Sequence, residues 1–170
     1  MNIKHAANDI RLTLNQAKLC EQVWWLLLGP NSDRDRIVRS FNLYFDFFNT
    51  VRPGMYVTFI VRLASLFDKD TRSVSLKSIP EIRADPAFPA LWEKGQKLYR
   101  YRSKAIAHRD FKNEKKDFAY ATGFSLNELR DILAETCAIY DRYALAQGIE
   151  GVPRHSADRD LLRLVRRLTR

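Results

Sequence analysis

The sequence predicts an all-α protein, an up-and-down bundle of four to five main helices followed by a short basic C-terminal helix. Apolar residues recur at three-and-four spacing along most of the 170 residues, which is the pattern of amphipathic helices. Proline, glycine and capping residues separate these stretches, and no segment of useful length shows the alternation of a strand. Several helices joined by short connections indicate an up-and-down bundle.

The first half of the chain predicts two long helical stretches. Apolar spacing runs from Ala7 to Leu28, and Gly29-Pro30 ends that helix. Ser32 is placed to cap the next helix, which carries apolar residues from Ile37 to Phe48. Pro53 lacks an amide hydrogen, so we expect a kink or a break near residues 50–54, after which the pattern resumes as far as Phe67.

The middle of the chain predicts shorter elements. Residues 69–75 are polar and indicate a loop, and a helix of one or two turns is expected between Leu76 and Arg83 because Pro80 limits it. Pro86 or Pro89 opens the next helix, since proline is tolerated in a first turn. That helix is expected to reach about Arg109, and the charged residues 112–123 form an exposed connection.

The last long helix has the clearest boundaries. Ser125-Leu-Asn-Glu128 is a full capping box, Phe124 and Leu129 supply a hydrophobic staple, and Gly148 is a natural stop. Beyond it, Ser156–Arg170 predicts a short basic amphipathic helix. We therefore divide the chain into a helical bundle over residues 1–150 and a basic helix or tail over 151–170.

Composition limits the function. The chain has 29 Lys and Arg against 20 Asp and Glu, a formal net charge of +9, which favours phosphate-bearing partners. Two cysteines, Cys20 and Cys137, exclude a disulfide framework, and both lie on apolar stripes, where inert core thiols are expected. No metal-binding or cofactor-binding motif is present. Without a secretion signal or a membrane-length apolar run, we expect a cytoplasmic protein with no membrane partner.

Two residues near the end of the middle helix stand out as candidates for chemistry. Arg102 falls on the apolar stripe, where a guanidinium is costly unless it is paired or borders a cleft, and His108 lies on an adjacent face. A simpler interpretation pairs Arg102 with Asp68 or Asp46 and leaves His108 to interact with the helix dipole. His5 and His155 are expected to be surface residues, and an ion pair between Arg62 and Asp68 is expected to be structural.

The segment Arg102-Ser-Lys-Ala-Ile-Ala-His108 resembles the Arg-(four to six residues)-His motif of HEPN proteins, a superfamily of nucleotide-binding helical domains. The stretch 61–68, followed by 73–76, is similar to a second block in its phage-abortive-infection branch, and the resemblance covers residues from about 10 to 147. It implies a compact bundle that dimerises and often acts as a metal-independent endoribonuclease in toxin–antitoxin or phage-defence systems. Arg102 and His108 would then be the catalytic pair.

The resemblance also assigns supporting roles. HEPN proteins often have Asn, Asp or His directly after the arginine, where this chain has Ser103. One toxin branch has a tyrosine two residues after the histidine, where this chain has Asp110. Both are candidate supporting residues. The residues around the motif could contact RNA through phosphates or, for the tyrosine, through stacking on bases; these are Arg100, Tyr101, Lys104 and Arg109.

Three functions remain open from the sequence. The first is an endoribonuclease in which His108 transfers protons and Arg102 stabilises charge on the phosphate, with RNA as substrate, a second copy completing the site and an antitoxin protein as a further partner. The second is a HEPN-type module that binds a nucleotide, RNA or a protein without cutting. The third is that of the neutralised partner of a nucleotidyltransferase encoded in the same operon.

Overall fold

The computed structural model describes residues 2–103 and 124–169, and all regular structure within them is helical. The prediction of an all-α bundle is confirmed. In chain order the elements are α1 (Ile3–Leu28), α2 (Arg34–Leu43), α3 (Phe45–Ser65), a 3₁₀ turn (Leu76–Ser78), α4 (Pro80–Arg83), α5 (Phe88–Tyr101), α6 (Leu126–Ala146) and α7 (Ala157–Leu168).

The start of α2 differs from the prediction. Its N-cap is Asp33 and not Ser32, and no side chain caps the helix. The preceding turn is organised by Asn31, whose side chain accepts a hydrogen bond from the Asp33 amide at 3.0 Å and donates to the Leu26 carbonyl at 3.0 Å. This turn moves the cap position one residue further along the chain.

The expected break near Pro53 is also wrong in its position. Tyr44 separates α2 from α3 with non-helical backbone angles (φ −130°, ψ 50°), and α3 then runs without interruption through Pro53. Pro53 and Asn49 are both exposed, so water can bond to the Asn49 carbonyl that loses its amide partner. An exposed proline therefore costs α3 less than a buried one would.

The main core forms where α1 packs along α3, with α5 and α6 completing the bundle. Leu14, Phe59, Leu63 and Phe67 are fully buried in it. The Tyr140 hydroxyl of α6 donates to the Ala7 carbonyl of α1 at 3.1 Å. These contacts fix α1 as the helix that α3 and α6 both touch.

The boundaries of α6 confirm the prediction. The Ser125 hydroxyl accepts from the Glu128 amide at 3.2 Å, and the Glu128 carboxylate accepts from the Ser125 amide at 2.6 Å. Gly148, just beyond the helix, has φ +63°, a conformation that glycine adopts without strain. Leu129 belongs to the main core, and Phe124 packs against it.

A second, smaller core joins α7 to the bundle. Val165 of α7 is buried with Leu27, Ile37 and Phe48. The connection before α7 is bonded to α1, since the Gln22 side chain donates to the His155 carbonyl at 3.1 Å and accepts from the Ala157 amide at 3.0 Å. The basic tail therefore contains a helix that packs on α1 and α2, and the division near residue 150 stays a prediction.

An ion pair holds α7 against the start of α2. Arg166 donates two hydrogen bonds to the Asp33 carboxylate, at 2.6 and 3.1 Å. These bonds lower the pKa of Asp33, because they favour its charged form. The same carboxylate lies 3.8 Å from the Arg36 guanidinium.

None of the described helices combines the length and the apolar character that crossing a membrane requires. Within residues 2–103 and 124–169, no three His, Cys, Asp or Glu side chains lie close enough together to hold a metal ion.

The close approach of α5 to Phe67 depends on Gly95. A Cβ atom at this position would overlap the Phe67 ring, so we expect Gly95→Ala to lower the free energy of unfolding by about 1–3 kcal/mol or more. Gly54→Ala is the matched control, because it lies in the exposed part of α3 with no atom within 4 Å of the new Cβ. It should be neutral or stabilise by about 0.5–1 kcal/mol. Urea unfolding measures both, and equal stability of the two variants would contradict this packing.

The Asp33–Arg166 pair predicts a pH-dependent attachment of α7. Because the pKa of Asp33 is lowered in the folded protein, its contribution is full above pH about 4 and is lost as the pH falls through the folded pKa. We expect Asp33→Asn to speed hydrogen exchange of the α7 amides at pH 7, with the difference from wild type disappearing in acid.

Asp160→Asn is the control for this experiment, since Asp160 pairs with Arg163 on the exposed side of the same helix at 3.3 Å. Exposed pairs of this kind contribute little, so this variant should exchange like wild type. Identical exchange of Asp33→Asn and wild type at pH 7 would show that α7 is held by its apolar contacts alone.

Candidate functional site

The last turn of α5 and the two residues directly after it include four of the eight residues that the sequence singles out. Arg100 is exposed, Tyr101 is buried, and Arg102 and Ser103 are half-buried. The other four candidates lie outside the described residues, namely Lys104, His108, Arg109 and Asp110. The structure therefore gives the environment of the arginine side of the predicted pair.

Tyr101 anchors the end of α5 to the rest of the bundle. Its side chain is only 6% exposed, and its hydroxyl lies 3.4 Å from the hydroxyl of Tyr56 on α3. The Tyr56 ring in turn lies 5.0 Å from the Trp24 ring of α1, between centroids. Burial raises the pKa of both tyrosine hydroxyls, so both stay protonated at neutral pH.

The burial of Tyr101 argues against the stacking role that the sequence assigned to it. A base needs an open ring face, and the Tyr101 ring belongs to the main core. The periodicity of α5 did not indicate this, because it does not show which neighbour lies beside the last turn. Tyr101 instead anchors the end of α5 in the core, next to Arg102 in the chain.

Arg102 lies against an aromatic ring. The central carbon of its guanidinium is 5.6 Å from the centre of the Tyr99 ring, and Tyr99 packs on the main core. Contact with a ring face stabilises a cation and leaves the edges of the guanidinium free to donate hydrogen bonds. In the part of the chain that the structure describes, no carboxylate pairs with Arg102.

The alternative partners proposed for Arg102 are wrong. Asp68 accepts a hydrogen bond from the Asp70 amide at 2.9 Å in the loop after α3, and Asp46 is exposed in the first turn of α3. The predicted Arg62–Asp68 ion pair is also wrong. Arg62 is exposed, and its charge acts on the Cys20 thiol.

Ser103 bonds within its own helix. Its hydroxyl donates to the Tyr99 carbonyl at 3.1 Å, the bond that serine commonly makes to the preceding helical turn. The donor of Ser103 is therefore occupied, and its supporting role stays a prediction.

The other candidate nucleophiles and bases have ordinary structural environments. Burial raises the pKa of the Cys20 thiol and raises that of Cys137 to about 11, so both are poor nucleophiles at neutral pH. His5 lies 3.3 Å from Asp9 on the surface of α1, and His155 is exposed. The prediction of surface histidines is confirmed, and the inertness of the thiols stays a prediction that the raised pKa values support.

The sequence analysis did not predict an ion pair that connects α1 and α6. Arg130 donates to the buried Glu21 carboxylate at 2.5 Å and lies over the Trp25 ring at 4.1 Å. The sequence feature that could have indicated this ion pair is an acidic residue on the apolar stripe of α1, between Ala17 and Trp24. The neighbouring groove contains Lys18, which bonds to the Pro153 carbonyl at 3.1 Å. The groove is therefore part of the attachment of the C-terminal segment.

A helical bundle with an arginine directly after α5, and a histidine six residues further along the chain, fits a HEPN-type domain. A family model, HEPN_AbiU2 (AbiU2), matches residues 3–147, and the chain therefore belongs to the AbiU2 family of HEPN domains, which is associated with abortive infection. No curated protein and no solved structure matches the chain. Helix α7 lies beyond the matched residues.

The partly buried thiols give a direct test of the site assignment. In a Cys20→Ala variant, only Cys137 remains to react. Because burial raises its pKa to about 11, we expect its alkylation by iodoacetamide at pH 7.5 to be about two orders of magnitude slower than that of an ordinary exposed thiol with a pKa of about 8.5. The rate should keep rising up to pH 11. Rapid labelling at pH 7.5 would instead identify a reactive cysteine.

Proposed function

We propose that this chain is an endoribonuclease of an abortive-infection or toxin–antitoxin system, with Arg102 and His108 as its catalytic pair at a cleft between two copies. The observation that supports this most directly is the environment of Arg102. Arg102 is half-buried, and its guanidinium lies against the Tyr99 ring with no carboxylate partner among the described residues. A phosphate group would supply the missing charge.

The chemistry requires only side chains of these two types. In RNA, the 2′-oxygen attacks the adjacent phosphorus and the 5′-oxygen of the next nucleotide leaves. One imidazole accepts the proton of the 2′-hydroxyl, and another gives a proton to the leaving oxygen. Arg102 stabilises the charge that develops on the phosphate oxygens. The products are a 2′,3′-cyclic phosphate and a 5′-hydroxyl, and no step requires a metal ion.

The need for both a base and an acid supports a dimeric site. Each chain contributes one motif histidine, His108, whereas the reaction uses one neutral and one protonated imidazole. A two-fold axis that brings two copies of the motif together provides both, along with two guanidinium groups. The dimer is part of this proposal.

Further cations near Arg102 extend the proposed RNA contact. Arg100 is exposed on the same helical turn, with no acidic partner among the described residues. We assign Arg100, Lys104 and Arg109 to flanking phosphates, and we leave Tyr101 out because its ring is buried. Asp110 and Ser103 stay as supporting residues in this proposal.

A binding module of the same family is the second candidate. It is favoured by the Ser103 hydroxyl, which bonds to the Tyr99 carbonyl and so does not offer its donor to a substrate. Such a module would bind RNA without cutting it. The two candidates differ in one measurement, the appearance of new RNA ends.

The test is cleavage of total RNA by the purified protein in the presence of a chelator. We expect Arg102→Ala to lower the rate about 10²- to 10³-fold, because it removes the charge that stabilises the transition state. His108→Ala should lower it about 10²- to 10⁴-fold. The cut ends of the wild-type products should be 2′,3′-cyclic phosphates.

Arg83→Ala and His155→Ala are the matched controls, since both side chains are exposed and lie outside the proposed site. Both should cut like wild type, and only the Arg102 and His108 variants should relieve any growth arrest on expression. RNA binding without new ends would favour the binding module. Full activity of His108→Ala, or loss of activity with chelator, would overturn the mechanism.

A further inference from the structure

Three aromatic side chains are unusually exposed where α2 meets α3. Tyr44, Phe45 and Phe47, which we call the aromatic elbow, are 45%, 61% and 55% exposed. Beneath them, Phe48 is buried and stacks on Phe41 at 4.9 Å between ring centres, and Phe47 meets Phe48 edge-on at 5.2 Å. A contiguous exposed group of large rings on a firm base is typical of a binding surface.

Helix α7 presents a row of arginines on its outer face. Arg159, Arg163 and Arg167 follow each other at four-residue spacing, which places them along one side of a helix. All three are exposed, because the opposite side of α7 packs through Val165 on the second core. The row is therefore held in a fixed orientation relative to the bundle.

The start of α2 adds further positive charge beside this row. Asp33 accepts bonds from Arg166 and lies 3.8 Å from Arg36, so one carboxylate is shared by two arginines. Across residues 33–39 and 157–168 the chain has seven arginines and four aspartates. The α2–α7 surface thus has an excess of positive charge.

The elbow and the arginines border the same small core. Phe48, under the elbow, and Val165, under the arginine row, are both buried in it. Arg52 on α3 lies over the Phe41 ring at 5.9 Å, which brings another cation to the elbow. Exposed rings and an excess of arginines over aspartates are therefore two features of one region of the fold.

We propose that the aromatic elbow and the arginines of α2 and α7 form a second surface that binds single-stranded RNA, separate from the Arg102 site. Unpaired bases stack on open aromatic rings, and the phosphates between them require cations. The inference rests on the proposed function only for the choice of RNA as the nucleic acid. Since α7 lies beyond residues 3–147, the family match does not cover the arginine row of this surface.

The charges favour a polyanion over a second copy of the chain. A two-fold contact through this surface would bring like-charged arginine rows together, which is unfavourable. The exposed Asp160–Arg163 pair, at 3.3 Å, is of the weak class that a phosphate can displace. Arg167 and Arg39 have no acidic partner among the described residues.

The test measures binding of a fluorescent 2′-O-methyl RNA 12-mer to the full-length protein by anisotropy at several salt concentrations. This RNA cannot be cut through its 2′-oxygen, so the result does not depend on nuclease activity. We expect Arg163→Gln/Arg167→Gln to bind at least tenfold more weakly. The slope of log K against log salt should become shallower by about 1.4, since each lost phosphate contact removes about 0.7 for a single strand.

Lys4→Gln/Arg83→Gln is the matched control, because it removes the same charge from exposed positions elsewhere. It should bind within about twofold of wild type. Phe45→Ala should weaken binding about fivefold or more through lost stacking, with the salt slope unchanged. Its control is Leu145→Ala, which removes an 83% exposed apolar side chain from α6 and should have no effect.

The proposal is overturned if the arginine variant binds RNA like its charge-matched control, or if Phe45→Ala binds like Leu145→Ala. It is also overturned if the same substitutions abolish binding to anionic phospholipid vesicles or self-association in sedimentation while RNA affinity stays at the wild-type level. Loss of cleavage in Arg102→Ala with wild-type affinity for the methylated RNA would bear only on the nuclease site.

Discussion

The burial of one face of α1 is the constraint on which the rest of the structure depends. Ile10, Leu14, Ala17 and Trp24 are all buried along this face, and α3, α6 and α7 each pack against α1. Through Trp24 the same face reaches the candidate site, since Trp24 packs on Tyr56 and the Tyr56 hydroxyl approaches that of Tyr101. The end of α5, next to Arg102, is therefore anchored in a core that includes Trp24, 78 residues earlier in the chain.

Local signals predicted the elements that depend on local chemistry. The Ser125 capping box and the stop at Gly148 were readable because both bonds and backbone angles involve residues a few positions apart. The prediction failed at the start of α2, where the acid at the cap position bonds to Arg166, 133 residues away. The prediction of a break at Pro53 failed for a related reason. The free-energy cost of a proline within a helix depends on how exposed it is, and the sequence does not show exposure.

The sequence predicted part of the candidate site, because one of its features depends on residues close together in the chain and another depends on how helices pack. The stripe of α5 identified Arg102 as an unusual charge on an apolar face, and the structure gives it the Tyr99 ring as a neighbour. Periodicity could not show that Tyr101 meets α3, because that contact depends on how two helices cross. The exposure of Phe45 and Phe47 could not be predicted from the sequence either, because a helix face that is buried and one that has no packing partner can have the same apolar pattern.

The distribution of acids explains how a net charge of +9 becomes a set of basic surfaces. Three well-shielded carboxylates, those of Glu21, Asp33 and Asp85, are each bonded to an arginine from a distant part of the chain. Because these acids form ion pairs that connect one element to another, they do not neutralise the arginines at the end of α5 or on the outer face of α7. Binding energy that a remote surface contributes equally to the ground state and the transition state lowers KM without raising kcat. A nuclease that combines the proposed α7 surface with the Arg102 site would therefore separate capture of RNA from its cleavage, and the two would respond to different substitutions.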